Sequence, residues 1–263
     1  MGPLGRLSVA SKERARTLES RVAELRARAA DAAGAPSFRD ALLRPDVAVI
    51  AEVKRQSPSK GVINAAIDAG AQAAAYARGG ASALSILTEP AEFGGSVSDL
   101  TDARRATSLP LLKKDFHVDP IQVLEAKAAG ASALLLIARA LPPDTLRELA
   151  DAAHSLGLEV LVEVRSEDEL ADALAIDEAV IGVNSRDLET LIIDPLVTAR
   201  LIALVPPDRI AIAESGIAGR SDVERVAGVG ADAVLVGSAI SAATDPAGAV
   251  AALTGVTRRR RGG

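Results

Sequence analysis

The sequence predicts a (β/α)8 barrel preceded by an N-terminal helical extension, on three observations. Eight short apolar runs alternate with Ala-rich amphipathic stretches from about residue 47 onward. One motif recurs along those runs, and the odd-numbered runs end in charged residues. Strand and helix in strict alternation imply parallel strands joined by helical crossovers. The recurring motif reads GGASALSIL at 79–87, AGASALLLI at 129–137 and GVGADAVLVG at 228–237, with AIDEAVIGV at 175–183 as a weaker copy. These copies fall at every second run, so two strand–helix units form one repeat, present four times. An open sheet would have edge strands of different character, and none of the eight differs, which favours closure.

The elements follow in order. Residues 11–33 read as a helix, because Leu18, Val22, Leu25 and Ala29 recur at helical spacing with Arg and Glu between them. GAPSFRDALL then gives a Gly-Ala-Pro break and a short helix starting near Ser37. Residues 1–46 are thus expected to form an extension packed on the barrel. The barrel itself is expected over 47–256. Its strands are VAVIAEV, ASALSIL, LPLLKK, ASALLLI, LEVLVEV, AVIGVN, RIAIAES and DAVLVGS. They are rich in Val, Ile and Leu with little alternation, as a sheet covered on both sides requires. Between them, DPIQVLEAKAAG, PPDTLRELADAAHSLG and RSDVERVAGVG read as helices ending at Gly. The last residues, TRRRRGG at 257–263, are expected to be a disordered basic tail.

Composition narrows the function. The chain has 263 residues, within the range of a single barrel domain. It has no cysteine, which excludes disulfides and thiolate metal sites, and its only histidines are His117 and His154. No metal site is expected. A net charge of −5 and only four aromatic residues (Phe38, Phe93, Phe116 and Tyr76) argue against a nucleic-acid partner. No apolar window is long enough to cross a membrane and no secretion signal opens the chain, so a cytoplasmic protein is expected.

The charged run ends locate a site. In a barrel the carboxyl ends of all strands point to one mouth. The odd runs place Glu52 and Lys54, Lys114, Glu163 and Glu214 there. Glu52 and Lys54 are two residues apart and share a face. Two lysines and three glutamates held together shift one another's proton affinities, which suits acid–base chemistry near neutral pH. The sixth run adds Asn184, with Arg186 just beyond it as a fork for a carboxylate or phosphate. Small-residue turns follow the first, seventh and eighth runs. They carry Ser57, then Ser215 and Gly216, then Gly237 and Ser238, and read as a phosphate cradle. From these residues alone, a sugar-phosphate isomerase, a Schiff-base aldolase or a non-catalytic binding barrel stays open.

The consecutive motifs IAEVKRQSPSKGVI, ILTEPAEFGGS, LPLLKKDFHVDPIQV, LEVLVEVRSEDEL, IGVNSRDLETL, AESGI and VLVGSAI resemble those of the indole-3-glycerol phosphate synthase family. The likeness covers nearly the whole chain. It implies a lyase of tryptophan biosynthesis that needs no cofactor. The reaction closes the ring of 1-(2-carboxyphenylamino)-1-deoxyribulose 5-phosphate, with loss of CO2 and water, to give indole-3-glycerol phosphate. The resemblance makes Lys114 the principal general acid, with Lys113 pointing away from the site. Glu163 becomes the general base or proton shuttle, and Lys54 a lysine near the substrate carboxylate that also donates a proton. Glu52 positions the lysines and assists dehydration, Asn184 orients the substrate, and Glu214 is an acidic member of the site. Arg186 holds the anthranilate end or neighbouring acids. Ser57, Ser215, Gly216, Gly237 and Ser238 take the phosphate, and Phe116, Phe93 and Leu188 wall the aromatic ring. A monomer is expected, with docking to other tryptophan-pathway enzymes left open. His117 stands where the family has an apolar residue more often, and is expected as a half-exposed loop side chain. The helix DPIQVLEAK lacks the aromatic residue and Arg frequent there.

Overall fold

A computed structural model of the chain describes residues 2–32 and 34–261. The eight expected strands are all present: β1 Ala48–Val53, β2 Ala83–Leu87, β3 Leu111–Lys114, β4 Ala133–Ile137, β5 Glu159–Val164, β6 Val180–Asn184, β7 Ala211–Glu214 and β8 Ala233–Val236. They form a closed, wholly parallel barrel in chain order, with β8 returning to β1. The strands are buried on both faces because side chains alternate between two cores. Val49, Ala51 and Val53 point outward to the helices, while Ala48 and Ile50 fill the barrel interior. By the same alternation Glu52, Lys114, Glu163 and Glu214 point inward at the carboxyl end.

Crossover helices α4 Ala69–Arg78, α5 Val97–Ala106, α6 Pro120–Ala128, α7 Pro143–Ser155, α8 Glu167–Leu174, α9 Pro195–Leu204 and α10 Arg220–Gly228 surround the strands. Side chains of Asp68, Ser96, Asp119, Ser166 and Asp194 accept hydrogen bonds from the first free backbone N–H groups of their helices. Two short helices follow β8: α11 Ser238–Ser241, which packs on β1, and α12 Pro246–Ala251, which packs on α4. Among the described residues no helix is long and apolar enough to cross a membrane.

The N-terminal segment starts earlier than the helix expected from residue 11. Helix α1 spans Pro3–Leu18, a 3-10 turn covers Glu19–Arg21, and α2 spans Val22–Asp31. Residue 33, where the expected helix ended, lies outside the described residues. Gly2, Pro3 and Gly5 look like breakers in the sequence. Pro3 is the first helical residue, however, where its missing N–H breaks no bond. Leu4, Leu7, Ser11, Ala15 and Leu18 form the buried stripe of α1. Leu4 and Leu7 join the barrel-interior core, so α1 lies across the mouth. Helix α3, Phe38–Leu42, starts at Ser37 as expected and plugs the opposite end with fully buried Phe38 and Leu42. Ser37 Oγ accepts from Asp40 N–H and donates to Glu159 Oε1 at 2.7 Å, at the start of β5.

The expected disorder of the tail does not hold for residues 257–261. Thr257 bridges Asp46, and Arg258 and Arg261 pair with Asp232 at 3.2 and 2.7 Å. Asp232 is only 5% exposed and also accepts the Ala211 N–H at 2.8 Å. A buried carboxylate of this kind needs a counter-charge, and the tail arginines supply it. Residues 262 and 263 lie outside the described residues.

Candidate active site

A cavity of about 360 Å³ opens at the carboxyl end of the strands. That is room for a small metabolite (ligand pockets run from about 300 to 1,000 Å³). Its floor is the ring of charges. Lys114 Nζ lies 3.2 Å from Glu163 Oε2 and 3.5 Å from Glu214 Oε2. Lys54 Nζ sits 2.5 Å from Glu52 Oε1, and Ser85 Oγ donates to Glu52 Oε2 at 3.2 Å. Asn184 Nδ2 donates to Glu163 Oε1 at 3.0 Å, and its Oδ1 accepts the Arg186 N–H. Glu52, Glu163 and Glu214 are nearly inaccessible, whereas both lysines keep some exposure to the cavity.

Glycine makes this crowding feasible. The inward positions of β6 and of the turn after β8 are Gly182 and Gly237. A first side-chain carbon at Gly182 would overlap Glu214 Oε1, and one at Gly237 would overlap Glu52 Oε1. The sequence placed Gly237 in the phosphate cradle. The nearest atoms are those of Glu52 and Lys54, so part of its role is to seat that pair.

The ring sets its own protonation. Burial pulls the Lys114 ammonium down, but Glu163, Glu214 and Glu52 outweigh it and raise its pKa above that of an ordinary lysine. Burial also favours the neutral form of Glu52, yet Lys54 and Lys114 hold its pKa below the usual carboxylate value. Glu214 goes the other way. Burial, helped by Glu163 and Glu52 and opposed by Lys114, pushes it up to about 8. With Glu214 protonated, the ring carries one negative charge fewer.

This has a consequence for stability. Glu214 releases its proton at about 8 in the folded barrel, against 4.5 for an ordinary glutamate. Between those values the folded state binds more proton than the unfolded chain, so stability falls as pH rises through that window. Glu214→Gln removes the term. Its melting temperature relative to wild type is expected to climb from about pH 5 to about pH 8. A difference that stays flat with pH would refute the assignment.

The remaining expected residues line the same cavity. Ser57, Ser215, Gly216, Gly237 and Ser238 sit on the loops after β1, β7 and β8, which are neighbours in the closed barrel. Ser57 Oγ is buried with no hydrogen-bond partner, and Ser215 and Gly216 both take left-handed conformations, with φ of 65° and 73°. A serine held there is sparsely populated and marks a turn shaped for a task. Phe93 and Phe116 follow β2 and β3, with ring centroids 6.4 Å apart, and Leu188 follows β6. Arg186 Nη1 donates to Leu191 O at 2.8 Å. No acidic side chain pairs with it among the described residues.

Sequence reasoning missed part of the wall. Pro3, Leu4 and Leu7 of α1 line the cavity, as do Leu191 and Ile193. Their only signal was an apolar pair at helical spacing, which does not say what it covers. Arg14 of α1 anchors the lid, with Nη2 at 2.6 Å from Asp115 Oδ1, next to Lys114.

Lys113 points outward, as expected, into a buried cluster. Its Nζ lies 3.0 Å from Glu125 Oε2 and 3.3 Å from His117 Nε2. His117 is only 2% exposed, not half-exposed. It contacts Leu135 O through Nδ1 at 2.7 Å, and burial and Lys113 push its pKa down to about 3. It is a neutral structural tie between the loop after β3 and strand β4.

Comparison with known proteins shows the family. The family model described as indole-3-glycerol phosphate synthase matches residues 6–253. The indole-3-glycerol phosphate synthase of Nocardioides sp. is 49% identical over 255 residues, covering 95% of each chain. That of Mycolicibacterium gilvum is 46% identical over 248 residues, covering 94% of this chain and 90% of its own. Among solved structures, 3-hexulose-6-phosphate synthase from Salmonella typhimurium has a TM-score of 0.62 at 19% identity, covering 79% of this chain and 96% of its own, a likeness of fold.

Proposed function

Because the chain belongs to the indole-3-glycerol phosphate synthase family, we propose that the charged ring at the barrel mouth does the proton work of that reaction. The reaction is the carboxy-lyase step that turns 1-(2-carboxyphenylamino)-1-deoxyribulose 5-phosphate into indole-3-glycerol phosphate in tryptophan biosynthesis. A ring carbon bonds to the carbonyl carbon, and the carbonyl oxygen takes a proton. CO2 leaves, and its bonding pair returns to the ring. The new hydroxyl takes a second proton and departs as water, and loss of one C–H proton completes the indole. Two protons are delivered and one removed, matching the net proton uptake of a decarboxylation.

Lys114 delivers the proton to the carbonyl oxygen. Glu163, fixed by Asn184 and Lys114, is the base or shuttle. Lys54 and Glu52 serve the carboxylate and the departure of water, with Glu214 as a further proton holder in the ring. Ser57, Ser215, Gly216, Gly237 and Ser238 take the phosphate. The unpaired, buried Ser57 Oγ supports that, because a buried hydroxyl without a partner in the protein is set for one in a ligand. Phe93, Phe116 and Leu188 flank the aromatic ring, and Arg186, free of any described acid, faces the substrate carboxylate.

The observation that carries this reading is Lys114 Nζ within 3.5 Å of two buried carboxyl groups at the floor of the cavity. Supplying the substrate to purified protein is expected to produce indole absorbance and fluorescence, with one CO2 released per indole. Folded protein that forms no indole would sink the reading. A substrate adduct trapped at Lys54 or Lys114 by borohydride would point instead to Schiff-base chemistry.

A further inference from the structure

We propose that Ser241, backed by Tyr76, is a positioning residue for the Glu52–Lys54 pair; this rests on the reading that the pair acts on substrate. Strand β1 pairs with β8 up to Ala51 opposite Val236. In a parallel ladder, alternate residues turn both N–H and C=O to the same neighbour. Ala48 N–H donates to Asp232 O on the β8 side, while Val49 O accepts from Ser82 on the β2 side. Glu52 and Lys54 therefore face β8.

Continuing that register would set residue 238 against the Glu52 C=O and the Lys54 N–H. Strand β8 ends at Val236 instead, and Gly237, at φ −122° and ψ −74°, turns the chain into α11. The turn presents Ser238 to the cavity and removes the strand partner of both groups. Ser241, one turn into α11, replaces it. Its Oγ donates to Glu52 O at 3.1 Å and accepts from Lys54 N–H at 3.3 Å. Tyr76 Oη, from α4, lies 3.2 Å from Ser241 Oγ and 3.4 Å from Glu52 O. Ser241 is 1% exposed and Tyr76 fully buried. With the Ser241 proton given to Glu52 O, its two lone pairs take the Lys54 N–H and the Tyr76 O–H, so the hydroxyl is saturated.

Ser241 thus grips the backbone on either side of Val53 and fixes where the Glu52 and Lys54 side chains leave the strand. The same turn that opens Ser238 to ligand makes this grip necessary. Losing it frees the strand end, and small displacements of reacting groups are costly, up to about hundredfold for 1 Å.

The test is a mutant cycle read by steady-state kinetics of indole formation, with thermal melts to confirm folding. Ser241→Ala is expected to lower kcat about tenfold and to move KM less than about twofold. Ser241→Thr, which keeps the hydroxyl, restores most of the rate. In a Lys54→Ala background, Ser241→Ala costs less than about fivefold, because one of the two groups it positions is gone. Wild-type activity in Ser241→Ala, or an equal loss with and without Lys54, overturns the proposal. Full activity in Lys54→Ala alone overturns the reading of the pair on which it rests. Where Ser241→Ala yields no folded protein, Tyr76→Phe enters the same cycle with a smaller expected loss.

Discussion

Lys114→Met is expected to leave a folded barrel that forms indole about a thousandfold more slowly or worse. General acid catalysis alone contributes about a hundred- to ten-thousandfold, and Lys114 also balances the carboxylates around it. Its Nζ sits 3.2 Å from Glu163 and 3.5 Å from Glu214, at the deep end of the cavity. Three acids raise its pKa, so it stays charged and keeps its proton until the carbonyl oxygen gains negative charge. Lys114→Arg separates the two contributions. Arginine restores the charge but holds its proton too tightly to donate, so it is expected to recover ligand binding and little of the rate. Without Lys114, Glu214 loses the neighbour that most lowers its pKa and keeps its proton to higher pH. A Lys114→Met enzyme within tenfold of wild-type kcat would remove the lysine from the chemistry.

The barrel was legible because its strands are apolar on both faces and its repeat exposes the closure. The site was legible because charge at an inward strand end has no packing explanation, and Glu52, Lys114, Glu163 and Glu214 fall at matching positions of alternate strands. What was hidden depended on partners distant in sequence. Leu4 and Leu7 read as any helical stripe, and only the closed fold shows them over the mouth. His117 is buried because Lys113 turns outward to meet Glu125 of α6, a pairing twelve residues apart that no periodicity encodes. The tail arginines looked solvated until Asp232, at the foot of β8, was found buried beneath them. Ser241 sits in an ordinary polar stretch, and its task exists only because β8 ends before β1 does.

Gly182→Ala is expected to cut activity sharply while leaving a cooperatively folded barrel. The residue lies within β6 and its backbone is of a kind alanine adopts freely, so no conformational penalty arises. Its inward side, however, is filled by the Glu214 carboxyl, with Leu161 Cδ1 the next neighbour at 3.1 Å from an added methyl. The atom in the way is the tip of a side chain, not backbone. The strand can therefore stay while the carboxyl moves, at an overpacking cost of about 1–3 kcal/mol. Glu214 has nowhere to go but away from its place beside Lys114 or out into the substrate volume. Either move takes one of two carboxyl groups from beside the Lys114 ammonium and shifts the proton balance of the ring. The expected loss in kcat is about hundredfold, with a cooperative melt a few degrees below wild type. The cause is separable, because Glu214→Ala vacates the space the methyl needs. Adding Gly182→Ala to Glu214→Ala is expected to cost nothing further, whereas independent effects would multiply. A multiplicative loss, or full activity in Gly182→Ala alone, would mean that the glycine does not serve the carboxylate.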